Sequence, residues 1–228
     1  MRTHAKWLAG AAVCAVMALS STGAVMAQER VYNYASGTWE SADNPRVMQR
    51  LIKQQRRPDA RFNRAEVRIE TRERPGTIIV DSRSRYLYLV GANGRATRYG
   101  VGVGKEGFGW SGAMSVQRKA EWPSWVPPKE MVARERRKGH ILPARMEGGP
   151  NNPLGARALY LYRDGRDSLF RIHGTNQPWT IGKRLSSGCI RMMNEDVADL
   201  YARVPRGTKV VVIGPEGQGG RGVYRDLG

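Results

Sequence analysis

The chain has few residues that could hold it together through disulfide bonds or metal ions. It contains two cysteines, Cys14 and Cys189, and three histidines in 228 residues. Without the first 27 residues, which we expect to be removed, Cys189 has no internal partner. An unpaired cysteine in an exported protein either pairs between chains or is a reactive thiol. The two remaining histidines and one cysteine lack ligand spacing, so the sequence predicts neither a metal site nor another cofactor.

The longest amino-terminal apolar run is too short to span a membrane. It extends from Trp7 to Leu19 and is preceded by Arg2 and Lys6, whereas a spanning helix needs roughly 20 apolar residues. A basic start, a short apolar stretch and a small residue at Ala27 are typical of a cleavable signal peptide. The sequence therefore predicts a signal peptide over residues 1–27 and export to the periplasm of a Gram-negative-like envelope.

Acidic residues are scarce relative to basic ones, with 20 Asp and Glu against 38 Lys and Arg, a net charge of +18. The predicted signal peptide carries two basic and no acidic residues, so its removal leaves +16. Such a surface attracts anionic polymers, which in the periplasm are peptidoglycan carboxylates, outer-membrane lipid phosphates or an acidic partner. The alternative is that the arginines only solubilise the surface. Export argues against a nucleic-acid partner.

Residues 28–75 read as an amino-terminal extension. A short helix is predicted to begin at Asn44-Pro45 and to end at Arg57-Pro58, because proline starts helices well and stops them when it follows. Its apolar face would comprise Val47, Met48, Leu51 and Ile52. At the other end, residues 214–228 are glycine-rich and read as a mobile tail.

From Gly76 the pattern changes to short strands and turns. Residues 77–80, 86–90 and 97–103 alternate or are continuously apolar, and the turn at 91–94 predicts a hairpin. Asp164-Gly165 predicts a second hairpin between residues 158–162 and 169–173. Asn194 is predicted to cap a helix that buries Val197, Leu200, Tyr201 and Val204 before a closing strand at 209–213.

The segment from Trp110 to Pro153 is predicted to be a long irregular lid loop, because its central prolines exclude a central strand. A short helix is expected near Lys129 to Arg137, and the loop's aromatics either line a groove or only pin the loop. His140, among basic residues, reads as solvated. Many short strands with few helices indicate a mainly β sandwich or barrel with one attendant helix.

Two motifs carry the chemistry. The first is His173-Gly174-Thr175 and the second is Ser186-Ser187-Gly188-Cys189-Ile190-Arg191, with sixteen positions between histidine and cysteine. A free thiol is only a few per cent ionised near neutrality, so a cysteine nucleophile needs a base or a positive environment. His173 provides either one. Gly188 permits a tight turn that aims the N–H groups of Gly188 and Cys189 at an oxyanion.

The order and spacing of these motifs resemble the catalytic domain of the L,D-transpeptidase (YkuD) family, with His-Gly-Thr followed by Ser-x-Gly-Cys-x-Arg. Residues 75–81, the glycine run at 100–104 and Asn152-Pro153-Leu154-Gly155 also resemble that domain, which would cover residues 76–213. The family has the same β-rich fold. Papain-like hydrolases place cysteine before histidine, and the sortase Thr-x-Thr-Cys signature is absent.

The resemblance implies that Cys189 attacks a peptidoglycan tetrapeptide stem after its third residue, releases D-alanine and passes the acyl group to an amine. It also implies that the Gly174 carbonyl orients His173 and that Cys189 is a carbapenem target. Arg191 either holds a substrate carboxylate or forms a structural ion pair. Ser187 stands where many members have histidine.

The sequence leaves the acyl acceptor open: a stem amine gives a 3–3 cross-link, a lysine tethers an envelope protein, and water makes an L,D-carboxypeptidase. A non-catalytic cationic cell-wall-binding module is the alternative from another class.

Overall fold

A computed structural model describes residues 30–33, 38–41, 43–55, 57–106, 108–217, 219–220 and 222–228. The predicted signal peptide and Cys14 lie outside these residues. No described helix is long and apolar enough to cross a membrane.

The described chain consists mostly of β-strands. The strands are β1 (Arg30–Asn33), β2 (Thr38–Ser41), β3 (Ala65–Thr71), β4 (Ile78–Asp81), β5 (Tyr86–Val90), β6 (Arg95–Gly100), β7 (Val103–Gly104), β8 (Gly112–Glu121), β9 (Arg157–Arg163), β10 (Arg166–His173), β11 (Arg184–Ser186), β12 (Ile190–Arg191), β13 (Lys209–Ile213) and β14 (Tyr224–Asp226). The helices are α1 (Pro45–Gln55), α2 (Lys129–Arg137) and α3 (Asn194–Arg203), with short 3-10 helices at Ala60–Phe62 and Pro178–Thr180.

One ten-stranded sheet dominates the fold, in the order β12-β10-β9-β8-β13-β4-β5-β6-β3-β14. The sheet folds back on itself, because the backbones of Gly102, just beyond β6, and Arg191, in edge strand β12, exchange two hydrogen bonds of 2.9 and 2.8 Å. A Cβ on Gly102 would lie 2.7 Å from the Thr180 carbonyl oxygen, so only glycine fits where the Gly102 backbone pairs with Arg191. The mainly β sandwich or barrel is confirmed, and the glycine run is approached by the protein's own backbone.

The central strands are covered on both faces. In β4, Ile78 and Val80 face the main core, while Ile79 faces a second apolar cluster. The main core also contains Val197 and Leu200 of α3, which packs against β9 and β10. Alternation along a strand places successive side chains on opposite faces, so strands buried on both sides are apolar throughout. The predicted hairpins at 91–94 and 164–165 are present.

Two predicted boundaries differ from the structure. Strand β3, assigned to the extension, pairs with β6 and buries Val67 and Ile69 in the second cluster. Strand β14, assigned to a mobile tail, pairs with β3, and the Tyr224 hydroxyl donates to Asp81 at 2.6 Å. Alternating charged residues in β3 and the brevity of β14 hide both strands in the sequence. The sheet therefore extends beyond residues 76–213 at both ends.

Strand β8 was also missed, because the sequence predicts one irregular loop from Trp110 to Pro153. It runs between β13 and β9 in the middle of the sheet. Most of its ten residues are polar, with only Met114 and Val116 buried, and its pairing with β9 shifts register after Val116. The predicted helix at Lys129–Arg137 is confirmed as α2.

The loop that follows β8 is held by one buried asparagine. The Asn152 side-chain amide donates to the carbonyls of Pro123, Met146 and Glu147 at 3.1, 3.2 and 2.9 Å. A single side chain thus joins both ends of the loop. Trp122 remains 45% exposed.

Helix α1 begins at the predicted proline and contacts the 3-10 helix Pro178–Thr180. Its predicted apolar face is only partly buried, since Val47 is buried whereas Met48 and Ile52 are about half exposed, at 45% and 51%. The contact with the 3-10 helix covers a narrower stripe than the sequence predicts.

Candidate active site

The two motifs meet where β10 and β12 run parallel. Ile172 pairs with Ile190 and His173 pairs with Arg191. Both isoleucines are buried in the main core, so alternation places the residues on either side of them on the opposite face of the sheet. His173 and Arg191, and Cys189 immediately before β12, therefore share that face.

His173 is buried and uncharged at neutral pH. Its side chain is 5% exposed, and its Nδ1 lies 2.6 Å from the Gly174 carbonyl oxygen. Burial, followed by the charge of Arg191, lowers the pKa of His173 to about 3, against the weaker opposing effect of backbone carbonyls. A carbonyl only accepts, so it requires the proton on Nδ1 and leaves Nε2 able to act as a base. The Gly174 carbonyl thus makes the contact that its expected role requires.

Asn194 holds the loop that follows His173, and this corrects its predicted role as a helix cap. Its Oδ1 accepts hydrogen bonds from the backbone N–H groups of Ala156 at 3.0 Å and Thr175 at 3.1 Å. The capping position of α3 belongs to Met193, which makes no side-chain cap bond. A Cβ on Gly174 would collide with Asn194 Oδ1. Asn194 therefore joins the start of α3 to the His-Gly-Thr loop.

Cys189 is a free, half-buried thiol. Its Sγ lies 3.9 Å from the Leu169 carbonyl oxygen, and no hydrogen bond joins it to His173 in the described part of the chain. Burial raises the pKa of Cys189, opposed by the backbone and charge of Arg171 and by the charge of Arg191. With His173 also neutral, the resting pair is a thiol and an imidazole rather than an ion pair.

The Ser186 hydroxyl stabilises the turn before Cys189 through two hydrogen bonds. The Ser186 hydroxyl donates to the Cys189 carbonyl at 2.6 Å and accepts the Gly188 N–H at 3.2 Å. Gly188 has φ of +105°, and a Cβ there would lie 2.6 Å from Phe170 Cε1. The Gly188 N–H, predicted to face an oxyanion, is therefore already engaged in this structure.

Trp110 supports the same turn from the other side. Its Nε1 donates to the Gly188 carbonyl at 3.0 Å, and its ring stacks on Phe170 with centroids 4.8 Å apart. The motif could have pointed to Ser186, which lies within it. Nothing in the sequence pointed to Trp110, which lies 78 positions from its partner.

Arg191 carries a positive charge into the site without a carboxylate partner. Its side chain donates to Gln177 Oε1 at 3.2 Å, and no Asp or Glu among the described residues lies within ion-pair distance of it. Burial lowers its pKa. Of the two predicted roles, this geometry disfavours the structural ion pair. Ser187 is half-buried in the same turn, and the described residues contain no cluster of three or more His, Cys, Asp or Glu that could hold a metal.

The fold and the site define a β-rich domain in which adjacent parallel strands bring a histidine and a cysteine to one face of the sheet, and the comparisons specify its family. Residues 75–212, more than half of the chain, match the family described as the L,D-transpeptidase catalytic domain, YkuD. The chain belongs to this family.

Among curated relatives, the Escherichia coli K12 protein named "Probable L,D-transpeptidase YbiS" is 37% identical over 142 residues, which cover 60% of this chain and 44% of that protein. The chain thus matches less than half the length of this relative.

A crystal structure from Brucella melitensis, described as a probable carnitine operon oxidoreductase, is 49% identical, covers 68% of this chain and 95% of that one, and has a TM-score of 0.44. The catalytic domain of an E. faecium L,D-transpeptidase acylated by ertapenem is 19% identical, covers 61% and 98% of the two chains, and has a TM-score of 0.45. At these TM-scores neither structural likeness bears on function.

Proposed function

We propose that this chain is a periplasmic L,D-transpeptidase in which Cys189 is the nucleophile and His173 is the base. The observation that carries this function is the placement of both residues on one face of adjacent strands β10 and β12. The buried imidazole has its Nδ1 held by the Gly174 carbonyl, which leaves Nε2 free to accept the thiol proton. The catalytic unit comprises the ten-stranded sheet from β3 to β14.

In the first half-reaction the Cys189 proton passes to His173 Nε2, and the sulfur bonds to the carbonyl carbon of the third stem residue. The C–N bond to D-alanine then breaks, and the imidazolium returns its proton to the departing amine. In the second half-reaction an amine attacks the thioester, His173 takes the amine proton, and the thiol is restored as the sulfur leaves. Positioned proton transfer of this kind contributes about 10²–10⁴-fold.

The site can stabilise both the oxyanion and a substrate carboxylate. The Cys189 N–H is the candidate oxyanion donor, and the Gly188 N–H joins it only after releasing Ser186 Oγ, which it contacts at 3.2 Å. Arg191 offers a half-buried guanidinium bonded to an amide rather than to an acid. A planar fork of this kind suits carboxylates, and tetrapeptide stems carry several.

The acyl acceptor is a stem amine or the lysine of an envelope protein, which would give a 3–3 cross-link or a tethered protein. Water as acceptor would make the chain an L,D-carboxypeptidase. The net charge of +18, or +16 without the predicted signal peptide, favours association with anionic peptidoglycan and with an anionic outer-membrane surface.

The nucleophile is tested by incubating residues 28–228 with a carbapenem and measuring intact mass. One covalent adduct is expected on the wild-type protein and none on Cys189→Ala. The base is tested by D-alanine release from disaccharide-tetrapeptide, which His173→Ala should abolish while the circular dichroism spectrum is retained.

His140 provides the matched control. It is exposed and paired with Glu135 at 3.1 Å, so His140→Ala should turn over at the wild-type rate. An equal adduct on Cys189→Ala, or turnover by His173→Ala, would overturn the assignment. Binding to peptidoglycan without adduct or turnover would indicate the non-catalytic wall-binding module. Product analysis with added stem or lysine acceptors separates cross-linking, tethering and hydrolysis.

A further inference from the structure

Strand β10 contains a bulge directly beside the thiol, which we call the β10 bulge and define as residues Asp167–Arg171. The pairing of β10 with β9 shifts register between its two ends. At its centre Leu169 has φ of +62°, an unfavourable conformation for a bulky residue. Its side chain is 76% exposed. A strained, exposed leucine in a strand needs local interactions that hold it there.

The first of these interactions is a two-pronged ion pair across the bulge. Arg171 Nη1 and Nη2 donate to the two carboxylate oxygens of Asp167 at 2.7 and 2.8 Å. The same Asp167 carboxylate accepts the Leu169 backbone N–H at 2.9 Å. One carboxylate therefore joins the end of the bulge to its centre, and the bidentate geometry restricts rotation of both side chains.

A second set of contacts holds the same backbone from the other side. The Ser168 hydroxyl donates to the Leu161 carbonyl at 2.5 Å and accepts the Phe170 N–H at 3.2 Å. Phe170 stacks on Trp110, which bonds the turn that carries Cys189. We call the turn Ser186–Cys189 the nucleophile turn. The β10 bulge and the nucleophile turn thus form one connected unit.

The bulge brings a backbone carbonyl close to the sulfur of Cys189. The Leu169 carbonyl oxygen is 3.9 Å from Cys189 Sγ, and no hydrogen bond among the described residues joins the sulfur to His173. We propose, on the basis of the function proposed above, that Asp167 and Arg171 are positioning residues that hold the backbone of the β10 bulge against Cys189 and so set the orientation and acidity of the resting thiol. The exposed Leu169 side chain is the part of the bulge that an incoming acyl donor meets. Displacement of the carbonyl then lets the thiol turn to His173.

The charges around Cys189 determine the direction of the expected effect. Arg171 and His173 on β10 and Arg191 on β12 share its face, while Lys105, after β7, lies over the Phe108 ring. The oxygen of the Leu169 carbonyl carries partial negative charge, so it favours the thiol over the thiolate. The backbone N–H and the charge of Arg171 act in the opposite sense and lower the pKa of Cys189. Loosening the bulge withdraws this N–H from the sulfur and should therefore make the thiol less acidic.

The deciding variant is Arg171→Lys, which preserves the charge but cannot form the two-pronged contact. The rate of Cys189 alkylation by iodoacetamide is measured against pH in the full chain without its signal peptide. We expect the midpoint of the profile to rise by about 0.5 pH unit and D-alanine release to fall about tenfold. Greater access alone would raise the alkylation rate at every pH without moving the midpoint.

Arg203→Lys is the matched control, because Arg203 also pairs with an aspartate four positions away, Asp199 at 3.2 Å, on the distant face of α3. Its profile should coincide with that of the wild type. Asp167→Asn should raise the midpoint less than Arg171→Lys, because the Arg171 charge that it leaves uncompensated near the sulfur favours the thiolate. Asp167→Glu, which keeps a carboxylate at this position, should bring the midpoint part of the way back to that of the wild type.

An unchanged midpoint in both Arg171→Lys and Asp167→Asn would overturn the positioning role. Alkylation reads the thiol without requiring turnover. A shifted midpoint in a protein that forms no carbapenem adduct would therefore contradict the proposed function and not the bulge.

Discussion

Replacing Gly188 with alanine should displace the nucleophile turn without removing any catalytic group. The backbone at Gly188 has φ of +105°, where a side chain costs about 1–2 kcal/mol. The new Cβ would also lie 2.6 Å from Phe170 Cε1 and 3.2 Å from the Phe108 carbonyl oxygen. Overpacking of this kind adds about 1–3 kcal/mol. We expect Gly188→Ala to lower the free energy of unfolding by about 2–5 kcal/mol.

The assay pairs urea unfolding with the rate of carbapenem acylation, which should fall about 100-fold, because a displacement of about 1 Å at a reacting group has that effect. Gly76→Ala is the control, since Gly76 has φ of +88° but nothing lies within 4 Å of its Cβ position. It should show only the backbone cost, about 1–2 kcal/mol, and acylate normally. If Gly188→Ala matched Gly76→Ala in both measurements, the close packing around the turn would not position the thiol.

Three further predictions concern the supports of the site and fold. Asn194→Ala leaves two backbone N–H groups without their acceptor and should cost about 2 kcal/mol in urea unfolding, with slower D-alanine release. Asn152→Ala removes the amide that joins both ends of the lid loop, so limited trypsin digestion should cut between residues 123 and 147 faster than in the wild type. Burial, only partly offset by the charge of Arg64, raises the pKa of Asp196 from its usual 3.8 to about 6. The ionised carboxylate therefore destabilises the fold above pH 6, and Asp196→Asn should stabilise the protein by about 1–3 kcal/mol at pH 8, with the gain vanishing as pH falls below 4.

The features that the sequence predicts well depend on neighbouring residues. Asp164-Gly165 adopts the positive φ angles of a tight hairpin, and Lys209–Ile213 is a strand with the predicted bounds. His173 ends a strand as expected. Each of these predictions needs only a short window, because turn chemistry and side-chain alternation are local properties.

The features that the sequence does not predict depend on distant partners. Asn194 at the start of a helix is typical of a cap, yet its acceptor is used by a residue 38 positions away. Strand β8 is central although most of its side chains are polar, because pairing with β13 and β9 satisfies its backbone whatever its side chains are. The positive φ of Leu169 also has no local signal, since bulky residues avoid that conformation. Long-range hydrogen bonding therefore determined the first two of these positions, whereas the conformation of Leu169 depends on the ion-paired Asp167 within the bulge.

Under the proposed function, the separation of the thiol from the imidazole limits the reactivity of the nucleophile in an oxidising compartment. Thiolates, not thiols, attack electrophiles and oxidants. Burial raises the pKa of Cys189 and lowers that of His173, so the resting proton lies on the sulfur. An ion pair in the resting state would expose a thiolate continuously. In the proposed mechanism the thiolate forms only when the proton is transferred to His173, which couples reactivity to occupation of the site.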